Sequence, residues 1–466
     1  MNASKKSLIS LAVSTAIVSS IFVSGTLHAE GVPGSFSANV AMTSDYYFRG
    51  LSQSNNNVAV QGGIDWAHDS GVYAGVWASN VSFGSTNIET DTYLGFSNEI
   101  SGFGYDLGWI KYNYNDTSSS NDPQEFYINL SYSFLSAGYA YSPDWFGTDE
   151  KSNYAYLGFE YGLPSDIGIS ATVGKSFGGA YKRSYGQNVE YVDYKIGINK
   201  DFAGINFDLS YVDNDLNSSE CGSYGYTNSQ CDGQFILTAS KAIDDTSAKS
   251  SSELPISANV TLVTDYYFRG ISQTNNDGAI QGGFDWAHDS GFYAGVWASN
   301  VAFGATTLEA DTYFGFGNEV GSIAYDVGFI RYNYTETSGH NDPNEFYASL
   351  SYDFLTAGYA YSTNWFGTSD DSNYLSLAVD YSLAYDIGLS AGLGYSFGDA
   401  YDKKNGDGIN DYDYLDYKIG ISKELVGITF DLSYVGNDLK TQQCESYAYT
   451  KGNCDDRFIL SASKSF

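Results

Sequence analysis

The sequence predicts an all-β fold: two tandem transmembrane up-and-down antiparallel β-barrels of 12 strands each. Three observations predict it, namely the composition, an internal duplication, and a period-two alternation of apolar and polar residues. The 466 residues include 43 tyrosines, 28 phenylalanines and 51 glycines but only 6 prolines, which is typical of strands joined by turns. With a net charge of -33, the chain is not expected to bind nucleic acid through general electrostatic attraction.

The N-terminal segment 1–29 has the features of a secretory signal peptide. Lys5 and Lys6 precede a mostly apolar stretch, and Ala29 offers a small residue at the cleavage position. No later segment offers the roughly 18 consecutive apolar residues that a membrane helix requires. We therefore expect export, with cleavage near Ala29.

The remaining chain is an internal duplication. "SANVAMTSDYYFRG" from Ser37 is matched by "SANVTLVTDYYFRG" from Ser257, and "GVWASNV" from Gly75 recurs from Gly295. The offset is 220 residues up to the loop after Tyr181 and 223 beyond it. This organisation predicts a first barrel repeat over residues 30–243, a polar linker over 244–255 and a second barrel repeat over 256–466.

Within one repeat the dominant pattern has a period of two. In "FYINLSYSF", Phe126 and Ile128 share one face, while Tyr127 and Asn129 share the other. Such alternation predicts a strand with one apolar and one polar face. In the first repeat this pattern predicts strands over 36–49, 58–67, 72–81, 88–99, 103–115, 124–134, 136–143, 153–162, 167–177, 190–200, 203–214 and 233–243.

The connections between these strands alternate in length. Long ones such as "LSQSNNN", "SFGSTN" and "DTSSSNDP" alternate with short ones such as "HDSG", "SG" and "FAG". A secreted β-sandwich also has alternating strands, but its connections have no reason to alternate in length. An even number of strands near ten residues, with tight turns on one side, is typical of a transmembrane barrel in contact with lipid.

The C-terminal segment "FILSASKSF" ends at Phe466 and resembles the last strand of bacterial outer-membrane proteins. This resemblance implies recognition by the barrel-assembly machinery. Together with the signal peptide, it predicts the outer membrane of a Gram-negative bacterium.

The motifs "TSDYYFRGLSQS" and "AVQGGIDWAHDSGVYAGVWASNV" resemble the opening signature of the TorF-type porin family, the Gcw_chp bacterial family of unknown function. The resemblance covers residues 37–243 and again 257–466. It implies an outer-membrane barrel that forms a pore, and it supplies no substrate or catalytic residue.

Because the family usually has one copy per chain, the duplication leaves two architectures, two 12-stranded barrels or one 24-stranded barrel. The long linker and the lower loop-closure entropy of local pairing favour two barrels.

The polar face of each strand, formed by every second residue, predicts the side chains that line each lumen. In both repeats the predicted lining holds eight acids and two bases, and rings of carboxylates favour cations over anions. The candidates are Asp45, Arg49, Asp65, Glu89, Asp91, Asp106, Glu160, Asp193, Lys195 and Asp208 in the first repeat, and Asp265, Arg269, Asp285, Glu309, Asp311, Asp326, Asp380, Asp416, Lys418 and Asp431 in the second.

We therefore expect passive diffusion of small hydrophilic solutes, with a preference for cations. The alternative is a non-conducting surface protein, an adhesin or receptor, that acts through long acidic loops.

"DYYFRG" is interpreted as the outer end of the first strand. Asp45 and Arg49 then share the lumen face about 13 Å apart, too far for an ion pair. Tyr46 and Phe48 are expected to face the lipid headgroups, while Tyr47 points inward.

Neither an enzyme nor a cofactor or metal site is predicted. The histidines of "WAHDSG" lie in tight turns, and no nucleophile-elbow or zinc-protease motif is present. The cysteines recur as C-x9-C in the last long loop of each repeat, and in an exported chain this predicts disulfides. They are Cys221, Cys231, Cys444 and Cys454.

Overall fold

The computed structural model describes residues 34–115, 122–182, 188–243, 256–303, 306–335, 342–405, 408–446 and 449–465. The predicted signal peptide, the predicted linker and Phe466 lie outside these residues. Within them, no helix combines the length and the apolar character needed to cross a membrane.

The first repeat forms a closed antiparallel barrel of 12 strands. In chain order the elements are β1 (Ser35–Thr43), β2 (Tyr47–Phe48), β3 (Leu51–Ser52), β4 (Ala59–Ala67), β5 (Val72–Phe83), β6 (Thr86–Ile100), β7 (Phe103–Tyr114), β8 (Gln124–Tyr132), β9 (Leu135–Ser142), β10 (Ser152–Leu163), β11 (Ile167–Phe177), a 3-10 turn (Gly179–Tyr181), β12 (Tyr191–Phe202), β13 (Ile205–Asn214), α1 (Ser218–Ser223), α2 (Asn228–Cys231) and β14 (Gln234–Ile243). β1 closes the barrel by pairing with both β14 and β4, whereas β2 and β3 pair only with each other.

The second repeat closes independently. Its elements are β15 (Ile256–Val263), β16 (Tyr267–Phe268), β17 (Ile271–Ser272), β18 (Ala279–Ala287), β19 (Phe292–Phe303), β20 (Thr306–Val320), β21 (Ile323–Tyr334), β22 (Asn344–Tyr352), β23 (Leu355–Ser362), a 3-10 turn (Trp365–Gly367), β24 (Ser372–Leu383), β25 (Ile387–Phe397), a 3-10 turn (Asp399–Tyr401), β26 (Asp402–Asn405), β27 (Gly408–Asp411), β28 (Tyr414–Leu425), β29 (Ile428–Asn437), α3 (Thr441–Ser446), a 3-10 turn (Lys451–Cys454) and β30 (Arg457–Ser465). β15 pairs with β30 and β18. The prediction of two 12-stranded barrels is confirmed, and the single 24-stranded barrel is excluded.

The alternating pattern sets which side chains face outward. On β8, Phe126 is 52% exposed on the outer wall, while its neighbour Glu125 is 1% exposed inside. Outward side chains on the other strands are mostly apolar as well, so each barrel presents the apolar exterior that lipid requires. We call the end of the barrel with the tight turns inner and the end with the long connections outer.

The first strand is shorter than predicted, and the interpretation of "DYYFRG" as its outer end is wrong. β1 ends at Thr43, after which the chain turns back into the lumen. Arg49 and Gly50 take left-handed backbone angles, with φ of 49° and 76°, which a continuous strand does not allow. We call residues 44–57 and their counterparts 264–277 the lumen hairpins.

A second difference lies between β5 and β6. "SFGSTN" was expected to form a long outer loop, but the strands extend through it and only Gly84 and Ser85 connect them. Gly84 has a φ of 65°, a conformation that glycine adopts at little cost. The register shifts between Asn80 and Phe83, which marks a bulge at this rim.

The two barrels pack side by side through their outer walls. β1, β4 and β5 of the first barrel lie against β15, β18 and β19 of the second, and their outward apolar side chains form one buried cluster.

Candidate functional site

The lumen hairpin of the first barrel is fixed by a buried ion pair. Nη2 of Arg49 donates to both carboxylate oxygens of Glu125, at 2.9 and 2.8 Å. The hydroxyl of Tyr112 donates to the same carboxylate at 2.8 Å. Arg49 and Glu125 are 5% and 1% exposed, so the pair is shielded from water and screened little by salt.

Aromatic rings surround the guanidinium of Arg49. Its Cζ lies 4.2 Å from the ring centre of Tyr154, 4.7 Å from that of Phe48 and 5.7 Å from that of Trp145. Cation-π contacts are worth about 2 kcal/mol or more when they are desolvated. The hairpin is thus held across the lumen by one charged side chain from its tip.

The base of the hairpin is organised by Asp45. Oδ1 of Asp45 accepts hydrogen bonds from the hydroxyls of Ser52 and Ser54, both at 2.7 Å. Burial raises the pKa of the Asp45 carboxyl to about 6, although these two hydrogen bonds oppose the rise. Tyr46 lies inside the lumen and is 4% exposed, rather than facing lipid as expected.

The second barrel repeats this arrangement. Nη2 of Arg269 donates to both oxygens of Glu345, at 2.7 and 2.9 Å. Oδ1 of Asp265 accepts from Ser272 at 2.7 Å and from Thr274 at 2.9 Å. The hairpin is therefore built into the repeat, with aromatic neighbours from the same positions: Phe268, Trp365 and Tyr374.

A hydrophobic cap lies over the outer mouth of the first barrel. Leu51 of the hairpin packs in a buried cluster with Tyr181, Tyr191 and the Cys221–Cys231 disulfide. The second barrel has the corresponding cluster and the Cys444–Cys454 disulfide. Both predicted disulfides are confirmed.

The inner half of the first lumen is lined by carboxylates and tyrosines. Asp106 accepts hydrogen bonds from the hydroxyl of Tyr73 at 2.6 Å and from Nδ2 of Asn129 at 3.2 Å. Asp65 accepts from the hydroxyl of Tyr93. Hydrogen bonds of this kind hold the carboxylates in place but do not neutralise their charge.

Several buried carboxylates at the outer level of the two lumens have oxygens without a hydrogen-bond partner among the described residues. Asp91 is fully buried, and neither of its carboxylate oxygens has a hydrogen-bond partner among the described residues. The same holds for Oε2 of Glu89 and, in the second barrel, for Oδ1 of Asp311. Within the described part of the chain, no group of three or more His, Cys, Asp or Glu side chains is arranged to hold a metal ion.

All of the predicted lining residues lie on the lumen side of their barrels. Four of them, Asp45, Arg49, Asp265 and Arg269, reach the lumen from the hairpins rather than from a strand. The remaining ones lie on the inward parity of the wall strands: Asp65, Glu89, Asp91, Asp106, Glu160, Asp193, Lys195, Asp208, Asp285, Glu309, Asp311, Asp326, Asp380, Asp416, Lys418 and Asp431.

Sequence reasoning missed Glu125 and Glu345, which hold the two hairpin arginines. The signal was present, because the residue before the outward Phe126 must point inward in a period-two strand.

A family model described as a bacterial protein of unknown function, Gcw_chp, matches residues 28–242 and again 247–466. The chain belongs to the Gcw_chp family. Each barrel is one Gcw_chp repeat, and the match adds no support for the TorF name. No curated protein matches the chain.

Several solved structures are similar over most of the chain, with low TM-scores. The translocation pore of the P pilus usher PapC is 10% identical with a TM-score of 0.35, covering 93% of this chain and 99% of that one. OccD3 of Pseudomonas aeruginosa is 10% identical with a TM-score of 0.29, covering 95% and 94%. The FrpB iron transporter of Neisseria meningitidis is 11% identical with a TM-score of 0.30, covering 94% and 82%. Similarity at this level carries no information about what the Gcw_chp repeats transport or bind.

The two Gcw_chp repeats differ in the inner half of the lumen. In the first barrel the ring of Tyr156 lies over Gly138 of β9, and its hydroxyl donates to Asn129 of β8 at 3.0 Å. The equivalent positions in the second barrel are Ser376 and Ser349. The smaller side chains leave more space in the second lumen.

An ion pair at the same level of the lumen is also more exposed in the second barrel than in the first. Lys195 and Asp208 lie 3.3 Å apart, with side chains 7% and 12% exposed. Their counterparts Lys418 and Asp431 lie 3.8 Å apart, with side chains 50% and 23% exposed. Water therefore reaches further into the second Gcw_chp barrel from the inner side.

Breaking the first disulfide is expected to loosen the outer cap. In the loop-entropy account, a crosslink between residues 10 positions apart contributes about 2–3 kcal/mol. In a Cys221→Ser, Cys231→Ser variant we expect faster proteolysis and amide exchange over residues 215–233, with the β-barrel intact. Equal protection in the variant and the parent would contradict a structural role for this disulfide.

Proposed function

We propose that the protein is an outer-membrane channel with two separate lumens, each of which passes small hydrophilic solutes and prefers cations. The observation that carries this proposal is the excess of acids over bases on both lumen walls. In the first lumen the two bases, Arg49 and Lys195, pair with Glu125 and Asp208. Carboxylates such as Asp65 and Asp106 remain to attract cations.

The membrane location rests on the exterior of the barrels. Leu94, Leu157 and Phe235 are among the many apolar side chains that are more than half exposed on the outer walls. A soluble protein does not expose so large an apolar surface, whereas a membrane barrel requires it. The predicted signal peptide and the outer-membrane location remain part of this proposal.

Each lumen hairpin is proposed to be the constriction of its channel. It occupies the outer half of the lumen and is held there by noncovalent contacts. In the inner half of the second barrel, Asp380 is exposed and Asp326 is half-buried, so cations can reach these carboxylates from the inner side.

Reversal potentials in planar bilayers test the cation preference. Under a KCl gradient, the reversal potential of the purified protein is expected to have the same sign as the equilibrium potential of potassium. The variant Asp326→Asn, Asp380→Asn should reduce this potential, because it removes two carboxylates from the wider lumen. The control Asp289→Asn, in an exposed inner turn, should leave it unchanged. A potential of the sign set by chloride would overturn the cation preference while leaving a channel.

The rival function is a non-conducting surface protein, an adhesin or receptor. The hydrophobic cap and the buried hairpin favour it, since both lie across the outer mouth. The absence of single-channel current steps, both in the parent protein and in the Arg49→Ala, Arg269→Ala variant, in which the hairpins are released, would support this alternative over the channel.

A further inference from the structure

The outer walls of the two barrels meet in a way that relates equivalent residues by a two-fold axis. A Cβ atom placed on Gly62 would lie 2.8 Å from Cγ2 of Val260, and one placed on Gly282 would lie 2.6 Å from Cγ2 of Val40. Val260 is the counterpart of Val40, and Gly282 is the counterpart of Gly62, at the offset of 220. Such reciprocal contacts define an isologous interface, in which one surface patch meets its own copy.

The buried cluster between the barrels follows the same rule. Most of its members occur as equivalent pairs: Ala38 with Ala258, Val40 with Val260, Val60 with Ile280, Ala78 with Ala298, and Ile88 with Leu308. All point outward from their barrels and are at most 5% exposed. Elsewhere on the same walls, outward side chains such as Leu94 and Phe314 are at least half exposed.

Small residues at this interface explain how it can be stable in lipid. Lipid tails are as apolar as the side chains, so association in a membrane depends on close packing rather than on the hydrophobic effect. Gly62, Gly282, Ala78 and Ala298 let the two walls approach closely, and the branched side chains of Val40 and Val260 fill the space opposite the glycines.

Polar contacts at the edges of the interface are not symmetric. Nδ2 of Asn115 donates to Asp277 at 3.0 Å, but the counterparts of these residues are Thr335 and Asn57. A fused pair can acquire such a difference, because each copy can change independently. Two identical chains cannot, because any substitution appears in both. At the inner edge, Nζ of Lys241 donates to the backbone carbonyl of Ile256 in the other barrel at 3.0 Å.

We propose that each barrel carries a self-complementary docking face on β1, β4 and β5, or on β15, β18 and β19, whose partner is a second barrel of the same fold. This docking face, rather than the linker over residues 244–255, holds the two barrels together. The tandem chain is the covalently fused form of a two-fold pair of single barrels.

The test uses the full chain with a protease site placed in the linker, residues 244–255. After cleavage in mild detergent, the two halves are expected to co-elute as a one-to-one complex in size-exclusion chromatography. In the variant Ala78→Leu, Ala298→Leu they are expected to separate, because the added side chains force the walls apart. Heat-modifiable mobility on a gel checks that each half remains a folded barrel.

The matched control makes the same substitution on the lipid-facing wall away from the interface, as Ala171→Leu, Ala391→Leu. Its halves should co-elute as in the parent. Separation of the parent halves after cleavage would overturn the proposal, and this arm decides it even if the interface variant fails to fold. Co-elution of a folded interface variant would overturn it as well.

Discussion

Replacing Arg49 and Arg269 with alanine is expected to raise the single-channel conductance several-fold. Each substitution leaves Glu125 or Glu345 buried without its partner, and breaking a buried ion pair in this way costs on the order of 3–5 kcal/mol. The loss of the aromatic contacts around the guanidinium adds to this cost. The hairpins should then leave the lumen for much of the time. Single-channel recording in planar bilayers measures the change.

The control for this prediction removes an exposed ion pair at the outer rim. Lys175 lies 3.8 Å from Glu190, and its side chain is 54% exposed. Exposed pairs contribute about 0–1 kcal/mol, so Lys175→Ala should leave the conductance unchanged. An unchanged conductance in the double arginine variant would show that the hairpins do not restrict the flow of ions.

The single variants separate the two lumens. Because Ser376 and Ser349 replace Tyr156 and Asn129 in the second barrel, releasing the second hairpin should open the wider passage. The single-channel current step of the Arg269→Ala variant is therefore expected to exceed that of the Arg49→Ala variant. Equal steps would indicate that the inner lumen does not limit either channel.

The conductance of the first barrel is expected to fall as the pH is lowered from 7 to 4.5. The pKa of Asp45 is about 6 with the hairpin docked and close to its ordinary value of 3.8 when the hairpin is released into water. The docked hairpin therefore binds the proton more tightly, so docking strengthens as the pH falls through 6. The difference in docking free energy is on the order of 2–3 kcal/mol and is complete below about pH 4.

Asp45→Asn tests the origin of this pH dependence. The amide keeps the shape of the carboxyl and carries no charge, so the variant should show the low conductance of the acidic state at every pH. Asp265→Asn is a separate arm, because Arg457 lies 3.8 Å from Asp265 and favours its charged form. A pH dependence that persists in Asp45→Asn would assign the effect to another group.

Most of the barrel wall was predictable from local patterns. Strands such as β8 and β11 alternate apolar and polar residues, and the alternation indicates where a strand lies and in which direction each side chain points. For the same reason the inward carboxylates, such as Asp106 and Asp193, were identified by parity alone. Glu125 could have been added to them by the same rule.

The lumen hairpins were not predictable in this way. "DYYFRG" continues the alternation of β1, and its tyrosines and phenylalanine suit a strand as well as a buried turn. The inward fold depends on partners that lie far along the chain, because Arg49 of the hairpin meets Glu125 and Tyr154. Asp45 adds contacts with Ser52 and Ser54 within the hairpin itself.

The sequence by itself determined the duplication, the twelve-stranded repeats and the acidic lining, because each depends on periodicity or spacing along the chain. Only the tertiary structure decided that the lumen hairpin of each repeat lies inside its own barrel and that Gly62 meets Val260 across the barrels. Both depend on contacts between distant residues, whose close approach no local pattern encodes.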